Sequence, residues 1–190
     1  MNNKIEKWQN WLNVIGVQIQ NMLIKQDTHN TILNIISKNK SLHQHNLFYD
    51  HLFHTYIAYI SVALRRQLKK QNNSISLYGL LSDMSNNIDD IPEHNLLSIN
   101  PDVDIKRLKE MSLTIEDYVD KRIAHTDKRT LKQLPSPNEI EDCIKLMKDI
   151  HKKYNSVINN VDIELMPVLY EWTQIFKIQW IQENESNKAN

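Results

Sequence analysis

IKRLKEMSLTIEDYVDKRIAHTDKR, residues Ile105 to Arg129, begins as a core helix and ends as something else. At about 100° per residue, Ile105, Leu108, Met111, Ile115 and Tyr118 fall on one stripe, which predicts an amphipathic helix. Continued past Tyr118, the stripe reaches Arg122 near its centre and His125 at its edge, while Asp120 and Lys121 point elsewhere. Arg122 and His125 sit at i and i+3 and are therefore neighbours on the helix surface. An apolar seam thus runs into a cation and an imidazole. Such a pair is most often a snorkelling arginine beside a helix end; the alternative is a site for an anion.

Working outward, Asn100-Pro101-Asp102 starts this helix with an N-cap, a proline at the first position and acids in the first turn. Downstream, Ser136-Pro137-Asn138-Glu139 is a capping box leading into Ile140, Cys143, Met147, Ile150, Tyr154 and Val157 at helical spacing. Near the N-terminus, Ile5, Trp8, Leu12, Ile15, Ile19 and Met22 alternate spacings of three and four, with Gly16 inside the seam. Asp27 or Thr28 can cap a second helix carrying Ile32, Ile35 and Ile36, ending near Lys38 to Ser41. A third helix, from about Asn46 to Lys70, is apolar on two faces and so predicted to be central. One face holds Phe48, Leu52, Tyr56, Tyr59 and Ala63, the other Phe53, Ile57, Ile60 and Leu64; between them runs a small, polar strip through His51, His54 or Thr55, Ala58, Ser61 and Arg65. Leu77, Leu80, Leu81 and Met84 give a short fourth helix, and Ser85 to Asn100 reads as a long loop. Met166, Leu169, Phe176 and Trp180, with Pro167 near the start, read as a final helix before a tail that frays from Glu183. The expectation is an all-α, single-domain helical bundle of six or seven helices over residues 1–183, with a frayed tail over 184–190.

Composition agrees. The chain has 190 residues, 41% of them apolar, with only two glycines and five prolines, which favours long helices over strands. Lys plus Arg equals Asp plus Glu at 23 each, so any basic surface has to be local. Eight histidines make the charge sensitive to mild acid. One cysteine, Cys143, excludes an intramolecular disulfide and a cysteine metal cluster, and the apolar stretch Tyr56 to Leu64 is too short to span a bilayer. A soluble, cytoplasmic protein with no membrane contact is expected.

The chain has no Gly-rich phosphate loop, no His-Glu-x-x-His pair and no Gly-x-Ser-x-Gly elbow. His43, His45, His51 and His54 invite a metal reading, but no second acidic helix supplies a fourth ligand, so no metal and no cofactor are expected. Cys143 belongs to the core.

DKRIAHTDKR resembles the motif region of the HEPN superfamily, in particular the abortive-infection (Abi) U subgroup, in which a helix ends in Arg or Asn, a few residues, then Ala-His and a charged pair. RRQLKKQNNSISLYGLL, Arg65 to Leu81, is similar to that subgroup's paired basic residues followed by Ser-Leu and Leu-Leu. The resemblance implies an up-and-down bundle that dimerises through the motif helix and, in active members, a metal-independent endoribonuclease of toxin or antiphage-defence type. RNA would be the substrate, and a neighbouring antitoxin protein a possible partner. Cutting RNA internally needs a base for the 2′-hydroxyl, an acid for the leaving 5′-oxygen and cations on the phosphate. A two-fold axis would supply one His and one Arg from each subunit. The family pattern is Arg, four to six residues, His; counted back from His125, those places hold Asp120, Val119 and Tyr118. The implied assignment is therefore His125 as acid and base and Arg122 as phosphate stabiliser, with Arg129, Arg65, Arg66, Lys121 and His54 as substrate contacts. A degenerate member, binding RNA, a nucleotide or a toxin or antitoxin partner without cutting, and a purely structural dimer are the alternatives. Arg122 is expected to face inward beside His125, with Arg65 or His54 lining the same cleft. A guanidinium buried there needs a carboxylate or an anionic ligand, and Asp120, Glu116 and Asp117 lie off the stripe.

Overall fold

The caps and seams become helices where the sequence places them. In the computed structural model, which describes residues 3–42, 47–69, 74–91, 98–123, 134–168 and 171–178, five α-helices form a bundle: α1 Asn3–Lys38, α2 Leu47–Leu68, α3 Leu77–Ser85, α4 Pro101–Tyr118 and α5 Pro137–Asn159. A 3-10 helix, Trp172–Lys177, follows, and no strand occurs among the described residues. Asn100 accepts from the Val103 amide at 3.1 Å, and Ser136 and Glu139 close both halves of the capping box. Ser76, the serine of the Ser-Leu pair in the Arg65–Leu81 block, caps α3 by accepting from the Gly79 amide at 3.0 Å. Each such cap is worth about 1 kcal/mol.

The core follows the seams. Trp8, Leu12, Ile15, Ile19 and Met22 of α1 are buried, as are Ile57, Ile60, Leu64 and Leu68 of α2 and Cys143, Met147, Ile150 and Tyr154 of α5. Burial pushes the Cys143 thiol up to about 12, so it is a core residue and not a nucleophile. Polar pins fix the helices against one another. The Trp8 indole donates to Asp83 at 2.7 Å, and Lys7 reaches the same carboxylate at 3.0 Å, joining α1 to α3. Buried Asp104 of α4 accepts from the Tyr154 hydroxyl at 2.9 Å and from Lys153, both on α5. Buried Gln67 accepts from the Leu77 amide at 2.9 Å and donates to Gln18, tying three helices at one point. Gly16 is more than tolerated: a Cβ there would lie 2.9 Å from Nε2 of His151, so α1 and α5 need a glycine to approach this closely.

Two expectations are corrected. No second helix starts at Asp27 or Thr28, because α1 runs unbroken to Lys38; the Thr28 hydroxyl donates back to the Ile24 carbonyl at 2.8 Å instead of capping. No final α-helix runs through Met166: α5 ends at Asn159, capped by Asn160 in the left-handed conformation at φ 55°, residues 161–168 run on without helix, and Phe176 lies in the 3-10 helix Trp172–Lys177. Pairing of Glu164 with Lys148 and Lys152 holds this strap against α5. Leu169 and Trp180 lie outside the described residues, as does the tail over 184–190. In the stretch after Ser85, whose residues 92–97 lie outside the described ones, a 3-10 turn forms at Ile88–Asp90 and Ile91 and Ile99 are buried. No described helix is long and apolar enough to cross a membrane.

Candidate functional site

At the end of α4 the backbone changes period. Val119–Ile123 form a π turn, with i→i+5 bonds in place of i→i+4. In this wider turn each residue advances through less angle than in an α-helix. Val119 stays on the core face, 4% exposed, and the residues after it fall progressively behind the α-helical stripe. Arg122 is consequently exposed, not inward-facing, and is correspondingly free of ion pairs among the described residues. This overturns the expected orientation.

The interhelix cation is Arg65 of α2. One of its Nη nitrogens lies 2.5 Å from Asp120, and Lys69 approaches the same carboxylate at 3.3 Å. Asp120, expected on the wrong side, is therefore the carboxylate that faces α2. The Nε–H of Arg65 is buried and has no hydrogen-bond partner among the described residues. Such an orphan donor is costly and marks a place where an acceptor would be welcome. Lys121 pairs with Asp117 at 2.6 Å, one turn back on its own helix. Three cations, Arg65, Lys69 and Lys121, thus pair with two acids, Asp117 and Asp120, and the exposed Arg122 follows next in the turn, where the chain as a whole is neutral. Cations at the C-terminal ends of two helices also complement the helix dipoles.

The other sequence-derived residues divide. Arg66, adjacent to Arg65, points away from this cluster and lines a cleft facing α1 with Gln18, Asn21 and Tyr59. His54 and His51 are exposed near the start of α2. Eleven residues separate His54 from Arg65, about 16 Å of helix, so His54 does not line the cluster. His125, Arg129, His43 and His45 lie outside the described residues. Among the described residues no group of three or more His, Cys, Asp or Glu is placed to hold a metal ion. Two histidines that the sequence reading passed over are built into the fold. His151 lies 3.0 Å from the Leu12 carbonyl through Nε2, and its Nδ1 is buried without a hydrogen-bond partner among the described residues. His29 stacks on Tyr56 with centroids 3.9 Å apart and planes 5° apart. Burial lowers the proton affinity of both rings. Their signal was a histidine on an apolar stripe, which by itself does not say what it packs against.

An all-helical bundle whose motif helix ends in a cation-rich turn against α2 has the architecture that the Ala-His motif suggested. The HEPN_AbiU2 family model, described as AbiU2, matches residues 5–164. The chain belongs to the AbiU2 family of HEPN-like proteins, the abortive-infection group. No curated protein and no solved structure matches it.

Proposed function

We propose that the protein is a metal-independent endoribonuclease of the toxin type that cuts RNA as part of an abortive-infection response, acting in the cytoplasm as a homodimer. The observation that carries this reading is the cluster at the motif turn: a half-buried guanidinium with an orphan donor, an ammonium group and a solvent-facing arginine, three residues before His125. In this reading His125 moves protons at the 2′-hydroxyl and the leaving oxygen, and Arg65 and Arg122 hold the phosphate as its charge builds. Arg is suited to the task because its planar fork fits two phosphate oxygens at once. Lys69, Lys121 and Arg129 add to the local field, and an antitoxin protein would neutralise the site by covering it. The test is incubation of purified protein with a mixed RNA pool in EDTA, beside His125→Ala and Arg65→Gln. Cleavage that both substitutions abolish supports the proposal; cleavage that survives His125→Ala comes from a contaminant or another site.

One observation favours a second reading. Asp120 stands at a motif-arginine position and occupies Arg65 in the free protein, so the fold can persist with cutting lost. In that case the protein is a degenerate HEPN-like dimer that binds RNA, a nucleotide or a toxin or antitoxin partner. Retained RNA affinity with no cleavage in the same assay identifies it.

A further inference from the structure

The face of α2 that carries Leu52, Tyr56, Tyr59 and Ala63 was expected to be core, but the structure covers it only in part. Phe48 is 54% and Tyr59 48% exposed, whereas Ile57, Ile60 and Leu64 on the neighbouring face are buried. Alongside it lies a face of α1 running from Gln18 through Lys25 and His29 to Ile32. Between the two helices lie clefts of about 180 Å³ and 310 Å³, and Tyr59 lines both of them. Gln18 and Arg66 mark one end and Ile32 and Leu52 the other, a span of fourteen residues on each helix, or about 21 Å.

The chemistry of the lining is uneven in a useful way. Lys25 and Arg66 are both exposed, both belong to the lining, and neither has an ion pair among the described residues. No carboxylate lines either cleft, although the chain as a whole carries as many acids as bases. Between the two cations stands Tyr59, with its ring half open to solvent, and next along the groove is the His29–Tyr56 stack. Two cations beside one open ring, Tyr59, suit a single strand, since phosphates seek the cations and a base of any identity can stack on the ring; the His29–Tyr56 pair is already stacked on itself. A peptide helix would use the apolar floor but gain nothing from unpaired cations at both levels. The groove ends at Arg66, at the same end of α2 as Arg65 but on the face turned towards α1.

We propose that the α1/α2 groove is a single-stranded RNA tract, which holds a few nucleotides, stacks a base on Tyr59 and places phosphates against Arg66 and Lys25. The proposal rests on RNA being the substrate, and its test is built on binding so that it stands or falls apart from cleavage. The probe is a fluorescein-labelled 2′-O-methyl RNA 12-mer of mixed sequence, which lacks the attacking hydroxyl. Its affinity for the full chain is measured by anisotropy across a salt series, and thermal melts report folding of each variant. Tyr59→Ala is expected to weaken binding about tenfold or more, the loss of one base–aromatic stack. Arg66→Gln is expected to lower the slope of log Kd against log salt by about 0.7, the release from one single-strand phosphate contact. Lys106→Glu, exposed on α4 away from the groove, leaves both unchanged. Unchanged affinity in folded Tyr59→Ala and Arg66→Gln overturns the groove while leaving a nuclease assay free to succeed. Groove-dependent binding without cleavage of ordinary RNA keeps the groove and discards the nuclease. Absence of binding by the wild-type chain at 100 μM probe-saturating protein, or a shift to a larger oligomer abolished by Tyr59→Ala in place of RNA binding, also overturns it, the latter by assigning the face to a second copy.

Discussion

Gly16→Ala puts two effects of similar size against each other, and the structure says which wins. An alanine inside an α-helix is favoured over glycine by about 1 kcal/mol. Against this, the added Cβ would sit 2.9 Å from Nε2 and 3.2 Å from Cε1 of His151. A flexible side chain would swing aside, but His151 is only 3% exposed and is held through Nε2 at 3.0 Å from the Leu12 carbonyl. Moving it costs that hydrogen bond, about 1 kcal/mol, on top of about 1–3 kcal/mol for overpacking. The expected net effect is a loss of about 1–3 kcal/mol, read as a lower urea midpoint with unchanged slope and a melting temperature lower by roughly 2–12 °C. In a His151→Ala background the obstacle is gone and the same substitution should stabilise by up to about 1 kcal/mol. The sign therefore reverses, and a double-mutant cycle should show coupling of about 2–4 kcal/mol, well above the ~0.5 kcal/mol scatter of independent sites. Gly16→Ala that raises the melting temperature of the otherwise natural chain, or additivity within that scatter, would refute the close-approach account.

Asp120→Asn should release Arg65 and tighten RNA binding several-fold, about 1 kcal/mol after allowance for a carboxylate that is 40% exposed; weaker binding in the folded variant would make the pair a structural tie only. Asp104→Ala strands the buried Tyr154 hydroxyl and the Lys153 ammonium, for a loss of about 2–4 kcal/mol and about 5–15 °C in melting temperature, with Asp104→Asn recovering part because it still accepts from the tyrosine; equal melts for all three would contradict the buried pin. Folding lowers the proton affinity of His151 and His29, chiefly through desolvation, from the ordinary value of 6.5. The unfolded chain then binds more protons just below that pH, so stability should be full above about 7 and fall as the pH drops from 6.5 towards 5; melts that stay flat across that window would remove the two rings from the account.

The parts of this fold that are legible in the sequence are periodic or local. The α1 and α5 seams, the Asn100 cap and the Ser136–Glu139 box all involve residues within a turn or two of one another, and all appear as read; the α4 seam does so at Leu108 and Ile115 but not at Met111, which is exposed. The failures are places where a distant partner or a change of period decides. Thr28 has the residue type of a cap, yet nothing local says whether a helix continues through it. Gly16 and His151 each carried a faint signal, a glycine inside a seam and a histidine between Ile150 and Tyr154, but only packing shows that one explains the other. The π turn is the most consequential case. An extrapolation that assumes α-helical pitch carries Arg122 inward, and the actual turn leaves it in solvent.

That same turn bears on how a chain can depart from its family's arginine pattern and still present a guanidinium. Asp120 stands five residues before His125, a place where the family pattern has its arginine, and read alone it turns a cation into an anion. In the fold this carboxylate does not face the site unaccompanied, because Arg65 reaches it from α2 and Lys69 from one turn further on. The local sum of Arg65, Lys69 and Asp120 is one positive charge, the same as a single motif arginine would supply. The guanidinium has changed helices and acquired a counter-ion. An incoming phosphate would therefore compete with Asp120 for Arg65, whereas a motif arginine without such a partner would be open from the start. On the proposed function, this makes the carboxylate a brake on phosphate binding, which is why its neutralisation, and not its charge reversal or truncation, separates a nuclease held in check from a fold that has given up the reaction.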